Sequence, residues 1–470
     1  MPKVVFFSAL ILAVFSSCSG DLEYIDPNTR HSINSSSSET SVDLSSSSNV
    51  EEASSSSEEE VGISSSSEVV QASSSSSSKA SSSSGTPATS SSSSSAISSS
   101  SATVNFPYPQ NKAYGNNTIN VIASGTSNTL KNKFEAFMEN FYRESMCGGT
   151  IPCANIEHLI FESTPGTYPQ DIGYAMLMTV YFSNKSKSYQ SEFDKLWAYY
   201  NYWKNAYGLM RYDAPGYNNN IDFIGIRKNS ATDADLDVAL ALVMARFQFG
   251  EQKYENYAKE LIKKIWEYEF ENDGLHKVSD NYGITTAPND KNPGYVSPAA
   301  FEVFKNIGAT GSWNYALERN YYFLMQNQSG ITGLPSGLAD QSGYPIANSN
   351  YDENAVRAPW RWALANAWFG HDYATTLLRN LASKIPSSPQ NISGPIPLNG
   401  PFSIGKNDNS YYRNSLMCAL TVSSNYQGQL NFYWDYLQSY YPNEPYFDSA
   451  MQILTGLLVT GNMPNLMGLK

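Results

Sequence analysis

Apolar positions in residues 102–470 recur mostly at intervals of three and four, the period of an amphipathic helix, with polar loops between the runs. The pattern predicts helices near 129–144, 171–182, 191–205, 232–249, 253–269, 298–307, 312–326, 354–367, 373–382, 411–423, 427–439 and 446–458. These are about twelve helices in six consecutive pairs, with no strand-rich half. Each pair fits an αα-hairpin. Six hairpins closed into a ring give an all-α (α/α)6 barrel, with apolar inner helices and loops at one face lining a groove. Short strands are expected near 208–218 and 274–282.

Upstream the pattern stops. Met1-Pro2-Lys3 gives a short positive start, and Val4 to Phe15 is an apolar run too short for a permanent span. Ser16-Ser17-Cys18 ends it. Small residues before a cysteine read as a lipoprotein cleavage box, with Cys18 as the lipid-bearing N-terminus; a secretory signal cut nearby is the other reading. Residues 1–18 are thus a leader, and either reading predicts export, to the cell surface or outer membrane or into the medium.

Residues 19–101 collapse into serine blocks broken by acids, a composition that buries too little apolar surface to offset ordering entropy. This tether is expected to be disordered. It carries 11 acidic and 2 basic residues, a net of −9 out of the chain's −13, so the acidity says little about the ligand of the remaining domain, 102–470. No basic patch suggests nucleic acid, and the chain reads as a monomer.

Cys147 and Cys153 flank a short Gly-containing loop that an oxidising compartment would allow to close as a disulfide, whereas Cys418 sits in an apolar run as a buried thiol. With four histidines in the chain and none near those cysteines at ligand spacing, neither a metal nor an organic cofactor is expected.

The chemistry concentrates in Ala231-Thr232-Asp233-Ala234-Asp235-Leu236-Asp237, three alternating acids at a helix start. A structural reading exists: Thr232 caps the helix, and Asp233 and Asp235 meet the positive end of its dipole. The loops around 207–212, 292–295 and 400–405 mix aromatics with Gly, Pro and Asn, a composition suited to stacking sugar rings and bonding their hydroxyls. Trp203, Tyr212, Trp313 and Tyr411 are the groove candidates, while Trp197, Trp362 and Trp434 read as core.

Several segments together resemble glycoside hydrolase family 8. Ala231 to Ala239 follows the family signature, Arg357-Ala358-Pro359-Trp360-Arg361 its Arg-x-Pro-Trp-Arg segment, and Gly173-Tyr174-Ala175-Met176 its Gly-Tyr-Gly-Met segment; the ending Leu457 to Asn462 is also similar. The likeness spans 105–465 in order and implies the same (α/α)6 barrel. Family members invert configuration while cleaving β-linked polysaccharides, which needs one carboxyl group to protonate the leaving oxygen and another to activate water. The resemblance places Asp233 on the sugar at the cleavage point, with Tyr174, Asp235 and Arg357 as neighbours contacting substrate or supporting it.

The chain departs from the pattern at both catalytic positions. The family's acidic Glu falls on Gln170, which has no proton to give; Asp171 is adjacent. The family's base falls on Asn354, with Asp352 and Glu353 just upstream and Asp340 in the preceding loop. The expected substrate is β-1,4-linked or mixed-linked glucan. Two outcomes stay open: a hydrolase with relocated acid and base, or a protein that binds β-glucan without cutting it.

Overall fold

The structure, a computed structural model, describes residues 103–144, 158–160, 166–212, 214–215, 227–284, 288–402, 408–440 and 445–468. The leader with Cys18, the serine-rich tether and the Cys147–Cys153 loop lie outside the described residues. Residues from Ser100 onward form one compact unit.

Twelve α-helices are present among the described residues: α1 (Thr126–Phe141), α2 (Pro169–Phe182), α3 (Gln190–Tyr202), α4 (Thr232–Phe249), α5 (Gln252–Tyr268), α6 (Pro298–Asn306), α7 (Trp313–Asn327), α8 (Arg357–Phe369), α9 (Asp372–Ala382), α10 (Ser410–Ala419), α11 (Gln427–Tyr440) and α12 (Tyr446–Val459). Their burial alternates. In α2 every residue but Gln170 is buried, and α4 and α10 are buried almost throughout. In α5 only the stripe Tyr254, Ala258, Leu261, Ile262 and Ile265 is buried, and α9 behaves likewise. A helix apolar on all sides belongs inside and one with a single apolar stripe belongs outside. The even-numbered helices accordingly form an inner ring, α2–α4–α6–α8–α10–α12, which closes where α12 packs on α2.

The hairpin partners differ from the consecutive pairing expected above by one step. The principal contacts of α3, α5, α7, α9 and α11 are with the inner helix before each, and α1 packs mainly on α12. The first helix therefore completes the last hairpin. Two short antiparallel pairs decorate the barrel: β1 (Tyr142–Glu144) with β2 (His158–Ile160), and β3 (Gly166–Thr167) with β4 (Ala214–Pro215). The second falls partly in an expected strand region; the first had no periodic signal.

An extended segment before α1 laces together the C-terminal ends of the inner helices. Asn105 N–H bonds Gln248 O at the end of α4, Tyr108 N–H bonds Ser183 O after α2, Ile119 N–H bonds Thr421 O, and Val121 N–H bonds Val459 O. Gln248 also donates to Phe106 O and Val180 O at 3.0 and 2.7 Å. These bonds satisfy carbonyls that a helix end leaves without partners. One mouth of the barrel is thereby tied off, and the other, at the inner helices' N-termini, carries the polar cluster.

Candidate active site

Three inner helices each present a polar pair four residues apart, one helical turn, on the face toward the barrel axis. These are Gln170 and Tyr174 on α2, Asp233 and Asp237 on α4, and Arg357 and Arg361 on α8. Gly173 lets α2 and α4 approach closely, since a Cβ there would lie 3.1 Å from Asp237 Cβ and 3.2 Å from Ala234 O.

The pairs meet as two rungs. In the lower one Arg361 Nη2 donates to Asp237 Oδ2 at 2.7 Å, with both side chains buried. Burial pushes the Asp237 carboxyl up to about 6, opposed by Arg361. In the upper rung Arg357 is the hub. Its Nε donates to the Tyr174 hydroxyl at 2.8 Å, its Nη2 to Gln170 Oε1 at 2.7 Å and its Nη1 to Glu353 O at 3.1 Å. Burial works against the guanidinium's charge, but Tyr174, Asp233 and Tyr295 outweigh it and hold its pKa above the ordinary value.

Asp233 lies against this hub. Arg357 Nε is 3.3 Å from Asp233 Oδ2, an ion-pair contact whose hydrogen goes instead to Tyr174. Asp233 is 1% exposed, and no described protein group donates a hydrogen bond to either carboxylate oxygen. A buried charged acceptor left without donors is costly, so such a group calls for a functional explanation. The sequence reading placed Asp233 on an open groove; in the structure it is buried, whereas Gln170, Tyr212, Glu353 and Asn354 are half-buried.

Phenols frame the acid. Burial pushes Tyr174 up to about 12, with Arg357 opposing and Asp233 adding to the rise. Tyr295 is raised well above its ordinary value by burial, and the fields of Asp233, Arg357, Tyr212 and Tyr174 all reach it. Asp233 and Arg357 also act on Tyr212, whose ring lies 4.9 Å from the Arg227 guanidinium. Tyr295 was not singled out from sequence, though its Asn-Pro-Gly-Tyr loop was. The loop is anchored by His276, whose Nε2 meets Asn292 O at 2.9 Å. Gly294 docks it on α8, because a Cβ there would lie 2.0 Å from Asn354 O.

The other expected residues divide. Glu353 and Tyr411 are brought to the cluster: the Tyr411 hydroxyl donates to Glu353 Oε1 at 3.2 Å. Asn354 is half-buried beside the docked Gly294. Asp171 is fully buried, and its Oδ2 accepts the Tyr168 N–H at 3.0 Å, capping its own helix. It does not take over the acid's place. Asp352 Oδ1 caps the turn into α8 by accepting from Asn354 N and Ala355 N at 3.0 and 3.3 Å, and burial pushes its carboxyl up to about 6. Asp340 caps its own exposed turn.

Asp235 points away from the upper rung and bonds Tyr200 and Glu269 instead. Trp313 is corrected from groove to core: it is 2% exposed and packed among Trp266, Phe270, Phe301 and Phe304. Trp203 has Tyr199 and Tyr202 as ring neighbours and is not part of the cluster. Trp197, Trp362 and Trp434 are buried, as expected of core. Thr232 is the first helical residue and Ala231 the cap, so the expected threonine cap is absent. Among the described residues no group of His, Cys, Asp and Glu could hold a metal ion.

The chain matches the family described as glycosyl hydrolases family 8 over residues 164–390. It is 26% identical to endoglucanase C of Ruminiclostridium cellulolyticum over 381 residues, 78% of each chain. It is 24% identical to a beta-glucanase of Niallia circulans, covering 77% of this chain and 92% of that one. A solved β-1,3-1,4-glucanase from Paenibacillus sp. X4 superposes with a TM-score of 0.68 at 22% identity, over 76% of this chain and 98% of that one. A cold-adapted family 8 xylanase in complex with substrate superposes at 0.61, with 18% identity, over 75% and 98%. These likenesses support the (α/α)6 barrel.

Proposed function

We propose that the chain, which matches glycosyl hydrolases family 8 over residues 164–390, is a glycosidase that acts on β-1,4-linked or mixed-linked glucan by inverting hydrolysis. The observation that carries this reading is Asp233, a buried carboxylate beside Arg357 that no described protein group supplies with a hydrogen bond. A sugar hydroxyl entering from the mouth supplies the missing donor. Arg357 balances the charge, and Tyr174, Tyr212 and Tyr295 shape the space around the ring.

Glu353 is the base in this reading. Glu353 is half-buried, and its carboxylate is oriented by the Tyr411 hydroxyl. Of the two residues expected to supply the leaving oxygen with a proton, Gln170 is an amide and Asp171 caps its helix. Losing general acid catalysis costs roughly 10²–10⁴-fold in rate, so turnover is slow. The same two residues favour a second reading, a protein that holds β-glucan without cutting it.

Reducing-sugar release from lichenan, carboxymethyl-cellulose, xylan and chitosan tests both. Slow wild-type release that Glu353→Gln abolishes and Gln170→Glu raises supports the hydrolase. An inert wild type that still binds lichenan supports the binding protein. If neither wild type nor Gln170→Glu binds or cleaves any of the four, both readings fall. We further propose that the domain is exported, held by lipid on Cys18 and spaced by the serine-rich tether. Palmitate labelling that survives Cys18→Ala would refute the anchor.

A further inference from the structure

We propose that the outward face of α7, outside the barrel mouth, is a second binding surface for an extended β-1,4-linked glucan chain. The inference rests on the reading that this protein's ligand is such a polysaccharide. The first observation is where exposed rings occur. Of the seven aromatic side chains exposed among the described residues, Tyr315, Tyr322, Tyr344 and Tyr373 lie on α7, on the loop after it or on α9, while Tyr202, Tyr257 and Phe432 stand singly on α3, α5 and α11. Tyr315 is 50% and Tyr322 59% exposed. Rings in water on an outer helix contribute nothing to the core.

The second observation is spacing. Tyr315 and Tyr322 are seven residues apart, two turns on one face, which puts them about 10.5 Å apart along the helix axis. In an extended β-1,4 chain neighbouring sugars alternate in orientation, so every second sugar presents the same face, at a similar repeat. Two rings at this interval stack two like-facing sugars and leave one between.

The third is how the first ring is held. Tyr315 Cδ1 lies 3.1 Å from where a Cβ on Gly274 would sit, so the ring lies against a turn that only glycine leaves open. Gly274 also has a φ of +74°. The ring is held against that turn while half of the side chain stays exposed. Between the tyrosines, Arg319 is fixed by Asp273 Oδ2 at 2.8 Å and Gln341 O at 2.9 Å, a rigid polar pair at the height of the intervening sugar's hydroxyls. At the Tyr315 end a cleft of about 320 Å³, lined by Lys305, Ser312 and Asn314, continues the track with hydrogen-bonding groups.

The test is native gel electrophoresis of the full chain through lichenan, hydroxyethyl-cellulose or xylan, beside hydrolysis of cellotetraose, which is too short to span both sites. The expected result is that Tyr315→Ala/Tyr322→Ala weakens retardation by lichenan several-fold and leaves cellotetraose turnover unchanged. Tyr315→Trp, which keeps a ring in place, retains retardation, as does Tyr257→Ala on α5. A double variant that folds and is retarded like wild type overturns the inference while leaving the mouth's function intact. A wild type retarded by none of the three polymers overturns both. Retardation by xylan alone, lost in the double variant, keeps the surface and corrects the polysaccharide.

Discussion

Glu269→Gln should flatten the pH dependence of stability. Glu269 and Asp235 are both fully buried and hydrogen-bonded to each other near the N-terminus of α4. The Tyr200 hydroxyl donates to Asp235 Oδ1 and the Ser230 hydroxyl to Glu269 Oε1, so each carboxyl has one oxygen left to face the other. Two carboxylates cannot hydrogen-bond without a proton between them. Burial is the main cause that raises both groups, Asp235 to about 7 and Glu269 well above its ordinary value. Asp280 adds to the rise, and half-exposed Lys204 is a cation that opposes it at Asp235.

The sign follows from proton counting. Above the ordinary carboxylate range the unfolded chain has released this proton, while the folded pair, in which burial raises both groups, still keeps it. The folded state then binds more protons, so stability falls as pH rises from the unfolded pKa through the folded one. One retained proton gives a slope of about 1.4 kcal/mol per pH unit. Asp237 and Asp352, both raised to about 6 by burial, add slope of the same sign, so the informative quantity is the difference between wild type and variant. Glutamine keeps the acceptor for Ser230 and offers Asp235 an N–H without a titrating proton. Urea unfolding between pH 5 and 8 should find Glu269→Gln shallower by about that slope, no more stable than wild type at pH 5 and more stable at pH 8. Parallel curves for the two proteins would show that no proton is shared.

Three further outcomes are expected. Arg361→Met leaves Asp237 buried without its cation and should cost about 3–5 kcal/mol in urea unfolding; Asp237→Leu/Arg361→Met should recover most of that, and no recovery would show the pair is not the cause. Gly294→Ala drives a methyl into Asn354 O, so it should lose about 1–3 kcal/mol and weaken lichenan binding by displacing Tyr295; unchanged binding would separate that loop from the site. Asp233→Asn removes a buried charge that has no protein donor but also the counter-ion of buried Arg357, so it should cost some stability in urea unfolding and lose most glucan binding; a folded variant that binds lichenan like wild type would remove Asp233 from the site.

The fold was legible because the alternation of all-round and one-sided apolar helices is written in local periodicity. α4 was predicted at its observed ends, and most other boundaries fall within three residues. What periodicity does not carry is closure. That α1 packs on α12, and that residues 105–121 lace the far mouth, depend on contacts hundreds of positions apart. Of the expected site residues, Asp233, Tyr174 and Arg357, which motifs carry, are brought together in the structure. Tyr295 was hidden because its importance comes from Gly294 resting on Asn354. Trp313 was misplaced because a tryptophan in the first turn of a helix can face a groove or the core, and here it packs into an aromatic cluster between α5, α6 and α7. Asp171 could not be judged from spacing at all, since only the direction of its side chain tells a cap from an acid.

The charge balance at the mouth predicts how a Gln170→Glu variant would behave. Arg357 is the one cation touching Gln170, Tyr174 and Asp233 among the described residues, and one carboxylate already opposes it. A glutamate at 170 would sit where Gln170 Oε1 now lies, 2.7 Å from Arg357 Nη2. Ionised, it would be a second negative charge against a single guanidinium in a nearly buried site; protonated, it leaves the pair neutral. Repulsion by Asp233 and burial therefore both favour the protonated form, the state a general acid needs at neutral pH. The cluster is thus poised to hold a proton that residue 170 lacks. Activity regained by Gln170→Glu should fall on the alkaline side as that proton leaves, whereas a recovered rate that is flat with pH would mean the proton comes from elsewhere.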